Sequence, residues 1–256
     1  MSPVSSPTPT GADEIGRGPL SRGSAVVYWF VVLEALFALT TVPALAGLLF
    51  LERHWSNLPL AAALLIPVGP AVGASLFAWR RFADDRDLKP ARHFWRGYRV
   101  SGPDALRVWV PSLAVLTVLA VNLANLWVTD APEVFAIAGA VVAALALIWT
   151  AHALTVASLY TFRWRDVARM GVYFLFAAPL ASLGVLSLAV LGGAVVYLAG
   201  DWLVVLLGSV FTFLLWRNQQ RVVTTVARRF VEGAPEAVQA KPWRSLDAED
   251  DADPDR

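Results

Sequence analysis

Long apolar runs separated by short, arginine-rich polar segments dominate the pattern of this chain. A helix rising 1.5 Å per residue needs about 20 apolar residues to cross a hydrocarbon layer about 30 Å thick. Residues 25–51 form the first such run, interrupted by Glu34, two threonines and Pro43. Residues 58–79, 108–128 and 135–162 supply three more. Beyond the basic cluster Arg163–Arg169, the run from Met170 to Trp216 has Asp201 as its only charge. It is too long for one crossing and long enough for two, expected at 170–192 and 196–216, with the turn between Gly192-Gly193 and Asp201. The pattern predicts an all-α, polytopic bundle of six transmembrane spans within residues 25–231, with a basic loop at 80–107. Residues 1–24, rich in Pro, Ser and Gly, and residues 232–256, acidic and proline-punctuated, read as disordered tails.

Lys and Arg concentrate in the cytoplasmic connections of membrane proteins. With six spans and the N-terminus inside, the inner side receives every Lys and Arg except Arg53. Arg17 and Arg22 precede the first span. Arg80, Arg81, Arg86, Lys89, Arg92, Arg96, Arg99 and Arg107 fill the loop, and Arg163, Arg165 and Arg169 follow the fourth span. Arg217, Arg221, Arg228, Arg229, Lys241, Arg244 and Arg256 complete the set. Five spans would export this last group, so six spans with both termini cytoplasmic are expected. Indole rings favour the headgroup level. Trp79, Trp109, Trp164 and Trp216 fall at expected inner ends and Trp55, Trp127 and Trp202 at outer ends, whereas Trp149 sits within a span and needs a packing partner. Ala44-Leu45-Ala46 resembles a signal-peptidase site, but the apolar stretch before it, about 19 residues, exceeds the 7–15 of a signal core. The first span is therefore retained.

Composition narrows the chemistry. The chain is 57% hydrophobic and 16% charged, against about 45–50% and 25% in soluble domains. A net charge of +1 gives no overall basic field for nucleic acid. There is no cysteine, which excludes disulfides, thiolate nucleophiles and Cys-type metal sites. His54, His93 and His152 have no partners at ligand spacing, so no metal site is expected. No Ser-His-Asp, H-E-x-x-H or phosphate-binding glycine loop occurs, and neither a catalytic set nor a cofactor is expected.

Ionisable side chains inside hydrocarbon cost about 2.5–3.5 kcal/mol at a helix centre on insertion scales, so each needs a reason. Glu34 lies nine residues into the first span and His152 ten residues from the cytoplasmic end of the fourth, which places both at a depth of about 14–15 Å. Pro70 falls at a similar level. Pro70 cannot donate to the carbonyl of Ile66, nor Pro67 to that of Ala63. A layer of Glu34, His152, Pro67 and Pro70 could therefore combine a carboxylate, an imidazole and unpaired carbonyls. It could bind a substrate, an ion or a proton, or the two side chains could simply bond to neighbouring helices. Asn122 and Asn125 read as interhelical contacts, and Gly69, Gly73 and Ala74 as residues that permit close helix packing.

In the basic loop, Arg92, Arg96 and Arg99 recur at i, i+4, i+7, so a helix there would present one cationic face. Phe94, Trp95 and Tyr98 would adjoin it as an aromatic face. With Arg80 and Arg81, this segment suits either anionic lipid headgroups, at about 1 kcal/mol per basic residue, or a cytoplasmic protein partner.

The stretch from Ile66 to Leu106 contains I-P-V-G-P-A-V-G-A-S-L-F-A-W-R-R-F, a charged gap, and A-R-H-F-W-R-G-Y-R. It resembles the YesL family of bacterial membrane proteins, whose domain carries no assigned function. The matching residues are Pro70, Ala71, Arg80, Arg81, Phe94, Trp95 and Tyr98. The resemblance is sharpest over these forty or so residues, and size and span count extend it over most of the chain, tails excluded. It implies a multi-pass protein of the bacterial plasma membrane. Family members are often found beside carbohydrate ABC-type uptake systems, which implies an accessory or assembly role with transporter subunits as partners. Redox labels attached to some members find no matching motif here. The competing expectation is a small-solute or ion transporter using the Glu34/His152 layer. No nucleic-acid partner is expected, and a homo-oligomer is left open.

Overall fold

A computed structural model describes residues 19–52, 54–84, 89–126, 132–200, 203 and 206–227. Most of the two expected tails, together with Arg53, Arg86, Trp127, Asp201 and Trp202, lies outside these residues. Among the described residues the chain is all-helical. The helices are α1 (Pro19–Leu49), α2 (Leu58–Leu64), α3 (Val68–Asp84), α4 (Pro90–Leu126), α5 (Glu133–Leu159), α6 (Trp164–Ala177), α7 (Pro179–Ala199), α8 (Gly208–Asn218) and α9 (Gln220–Val226). A 3₁₀ turn at Trp55–Asn57 precedes α2. Pro19, Pro90 and Pro179 open their helices, where the missing N–H has no helical partner to lose.

Among the described residues, four helices are long and apolar enough to cross a membrane, namely Gly23–Leu49 of α1, α4, α5 and α7. The bent pair Trp55–Leu64 and Val68–Ala83, angled by 46°, makes a fifth if it counts as one span. The surface agrees with an apolar solvent. Phe50 is 91% exposed, Tyr197 87% and Leu198 81%, which a water-soluble fold would not leave together with so many other exposed aliphatics.

Several expected boundaries move. The second span, expected at 58–79, breaks at residues 65–67 into α2 and α3. The expected loop 80–107 is mostly helix, because α3 runs to Asp84 and α4 begins at Pro90. Expected spans 170–192 and 196–216 are also redrawn. The chain breaks at Ala178, ahead of Pro179, and α7 then runs through Gly192-Gly193 to Ala199. The turn begins at Gly200, at the Asp201 end of the stretch expected for it, and its φ of 95° suits a residue without Cβ. Glycine pairs weaken a helix by only about 1 kcal/mol per residue, whereas proline removes a hydrogen bond outright. The later run is α8 followed by α9, divided at Gln219.

The largest helix–helix interface joins α3 to α4. Small residues let these antiparallel backbones meet. Gly69 faces Trp109, Gly73 faces Ala105, and Gly97 faces Ala74 and Phe77. Gly69, Gly73 and Ala74 thus act in packing, as their sequence pattern suggested. Around the end of this hairpin, Trp29, Leu33, Ala74, Ala78, Trp79 and Phe94 form a buried cluster. The Trp79 ring lies 4.7 Å from Phe30 and 4.9 Å from Phe213. Trp79 is therefore a core residue and not a headgroup anchor, whereas Trp164, at 66% exposure, remains at the surface.

A Cβ at residue 97 would stand 3.1 Å from the Cα of Ala74, a backbone atom with little room to retreat. Gly97→Ala is expected to lower stability by about 1–3 kcal/mol. Gly193→Ala, which meets nothing within 4 Å, is expected to leave stability unchanged or raise it by up to about 1 kcal/mol. Reversible unfolding in mixed micelles, followed by tryptophan fluorescence, checks the pair.

Candidate functional site

Each helix break inside the bundle frees backbone groups that cannot turn to water. In an apolar surrounding an unpaired peptide group costs several kcal/mol, so a partner must come from within the protein. The polar side chains of this chain meet that demand one break at a time.

At residues 65–67, Pro67 and Pro70 leave the carbonyls of Ala63 and Ile66 without their usual donors. Both are recovered locally, by Ile66 N–H at 3.3 Å and Gly69 N–H at 3.4 Å. The expected unpaired carbonyls are thus absent. The Leu65 carbonyl accepts from the indole N–H of Trp109 at 2.9 Å, so Trp109 serves this break and not the headgroup region. Pro70 is buried against Gly102 of α4.

The end of α5 is held similarly. Ser101 Oγ donates to the Ser158 carbonyl at 2.7 Å and Arg80 Nη1 to that of Leu159 at 3.3 Å. The Arg80 guanidinium also lies 5.1 Å over the Tyr160 ring, while the Tyr160 hydroxyl donates to Val223 O at 3.0 Å. Arg80, expected in a surface loop, is an internal fastener. Trp149, which needed a packing reason, donates its indole N–H to Ala168 O at 3.1 Å and covers Gly171.

Glu34 of α1 meets the first turn of α8. Its Oε1 accepts from Gly208 N–H at 3.0 Å, and its Oε2 from Ser209 N–H at 2.9 Å and Ser209 Oγ–H at 2.5 Å. A helix N-terminus exposes unpaired N–H groups and a partial positive charge, and this carboxylate completes both needs. Phe37, one turn further along α1, closes over Gly208, where any side chain would collide with its ring.

His152 is fully buried. Its Nδ1 lies 3.0 Å from Oε1 of Gln219, at the α8–α9 break, and its Nε2 lies 3.1 Å from Ser182 Oγ of α7. Beside it, Asn218 Nδ2 donates to Ala181 O at 2.8 Å. Glu34 and His152 therefore do not share a layer. They hold opposite ends of α8, about 15 Å apart along its axis. Equal depth counted separately on α1 and α5 does not fix which part of a third helix each side chain meets. Pro67 and Pro70 join neither centre's hydrogen bonds.

The loop residues also separate. Phe94 is fully buried, Tyr98 is half-buried and Trp95 is 40% exposed. Arg92, Arg96 and Arg99 do lie on one continuous helix, α4, with Arg99 exposed and the other two, like Arg81, half-buried. Asn125 bonds back to Val121 O in its own helix at 2.8 Å. Gln219, Ser182 and Ser209 were not anticipated. Ser209 after Gly208 has the composition of a helix cap, and Asn218-Gln219-Gln220 is the one amide-rich stretch near the end of an apolar run.

Fold and site together define the class, an all-helical bundle of membrane type whose internal polar groups secure broken helices. Comparison with protein-family models, with curated proteins and with solved structures finds no match.

Glu34→Gln turns one accepting oxygen into an N–H₂ facing the α8 amides. It is expected to cost about 1–3 kcal/mol while membrane insertion stays intact. Because the chain has no cysteine, a single Thr212→Cys reporter, buried at 3% exposure in the native chain, reads the loosening directly. Thiol labelling should rise in the Glu34→Gln background, and equal labelling in both backgrounds would contradict the capping role.

Proposed function

We propose that this chain is a six-span protein of the bacterial cytoplasmic membrane, with both termini inside, that acts through contacts as an accessory or assembly factor for a carbohydrate uptake system. The observation that carries the contact role is the length of α4 and its packing along α3. Its 37 residues extend about 55 Å, nearly twice the hydrocarbon thickness. The apolar half begins near Val108. The half before it carries Arg92, Arg96 and Arg99 with the exposed Trp95, and is braced along its length by α3. A charged segment that is already helical and packed on a neighbour suits a partner surface, since less ordering is left to binding. The internal positions of Glu34 and His152, each occupied with a helix end, favour this reading over a solute path through one shared layer. In the six-span arrangement, α8 and α9 together form the last crossing. The uptake-system part of the proposal, and a place among YesL-like proteins, rest on the resemblance of residues 66–106.

Two measurements test it. Impermeant labelling of single cysteines at Glu133 and at Arg256 in intact cells should mark residue 133 alone, and labelling of both from one side would refute six spans. A detergent pull-down should recover transporter subunits with the native chain and lose them with Arg92→Ala/Arg96→Ala/Arg99→Ala. Undiminished recovery would exclude this face. Solute flux in liposomes holding the purified chain alone would replace the proposal with transport.

A further inference from the structure

The protons around His152 can be counted. Pro179 has no N–H, so the carbonyl of Leu175, four residues earlier, lacks its helical donor. The Ser182 hydroxyl replaces it, donating to Leu175 O at 3.1 Å. A hydroxyl has one proton to give. Ser182 Oγ must then accept from the ring, and Nε2 of His152, 3.1 Å away, carries a proton. On the other side Nδ1 faces Oε1 of Gln219 at 3.0 Å. An amide oxygen only accepts, so this arrangement places a proton on Nδ1 as well. It is the hydrogen-bond pattern of an imidazolium. It also leaves Nε2 of the fully buried Gln219 without a partner.

Turning the amide about its last bond exchanges oxygen and nitrogen at almost no steric cost. The Gln219 N–H then donates to a bare Nδ1, the ring is neutral, and the orphaned donor gains its partner. The remaining arrangement, with Ser182 giving its proton to Nε2, strands both Leu175 O and Gln219 Nε2 in the interior. The first pattern strands one buried group, Gln219 Nε2, and the last strands two; each unpaired buried group is costly, so the first two patterns are the favoured pair.

We propose that His152 is a proton-binding site whose occupancy sets the orientation of the Gln219 amide at the α8–α9 break. The ligand is a proton, the protonated ring takes the amide oxygen, and the neutral ring takes the amide N–H. Gln219 is well placed to pass this on. Its backbone N–H bonds Leu215 O of α8 and its carbonyl accepts from Val223 N–H of α9, both at 2.9 Å. A cavity of about 290 Å³, lined by Tyr173, Phe174, Ala181 and Arg221 among others, adjoins the site. The Phe174 ring lines this cavity and lies 6.5 Å from the imidazole. Of the titratable or charged groups on the packed elements, Tyr173 of α6 and Arg221 of α9 line this cavity and Arg217 lies in the last turn of α8, while Arg165, Asp166 and Arg169 lie in the first half of α6 and Arg80 of α3 at the end of α5. From α7 the ring meets Ser182, and α7 carries no charged side chain. The proposal does not depend on the contact role described above.

The test is a titration of the chain in lipid nanodiscs with ¹⁵N-labelled histidine and glutamine, over about pH 4.5–8.5. His54→Gln and His93→Gln variants assign the His152 signals. Both ring nitrogens should be protonated at the acid end and Nε2 alone at the alkaline end, with the Gln219 side-chain amide shifting at the same midpoint. Gln219→Glu presents oxygen to Nδ1 in either orientation, and the ring should then keep both protons across the range. A ring that holds one tautomer throughout, or a Gln219 amide that does not move with it, overturns the proposal. The titration of the native chain decides the matter even where the variant fails to fold.

Discussion

Peptide groups released at a helix break have nowhere to go in an apolar surrounding except to another part of the protein. This chain breaks its helices repeatedly, at residues 65–67, 160–163, 178, 207 and 219. At each break the freed groups are met by a side chain from elsewhere in the bundle or by a tightened local turn. Trp109 serves the first, Ser101 and Arg80 the second, Ser182 the third and Glu34 the fourth, while at the last the Gln220 side chain donates to Trp216 O and His152 holds the side-chain amide of Gln219. The five points tie α1, α3, α4, α5 and α7 to one another through bonds that hydrophobic packing alone would not specify. Between lipid and protein interior there is little hydrophobic preference, so close packing and polar contacts carry helix association.

Packing supplies the other half. Glycines along α3 and α4 bring two backbones close enough that a methyl group would not fit. Dispersion contacts are individually small and accumulate over such a seam. The aromatic cluster of Trp29, Trp79 and Phe94 closes the end of the hairpin. The consequence is a charged helical segment held by the same contacts that stabilise the bundle.

The two ionisable groups within the bundle differ in kind. Glu34 accepts three hydrogen bonds from one helix terminus and completes a static cap. His152 stands between two groups, one committed by Pro179 and one able to turn, and so retains a choice of proton count. A cap secures a structure, whereas a choice can report a condition.

The chain's own pattern determined that it is helical, that its long apolar helices suit a membrane, and that glycines at 69 and 73 would permit close approach. These follow from run length, composition and residue size, which are local properties. It also marked Glu34 and His152 as residues in need of partners, because a polar group among apolar neighbours is visible without coordinates. The partners themselves lie 175 and 67 positions away, and no local pattern joins Glu34 to Ser209 or His152 to Gln219. Tertiary structure alone decided that the arginine at 80 and the tryptophans at 79 and 109 turn inward, that the run from residue 170 breaks ahead of Pro179 while the glycine pair at 192–193 stays helical, and that Glu34 and His152 stand at opposite ends of one helix. Depth counted along separate helices cannot reveal this, since it does not say which part of a third helix each side chain will meet.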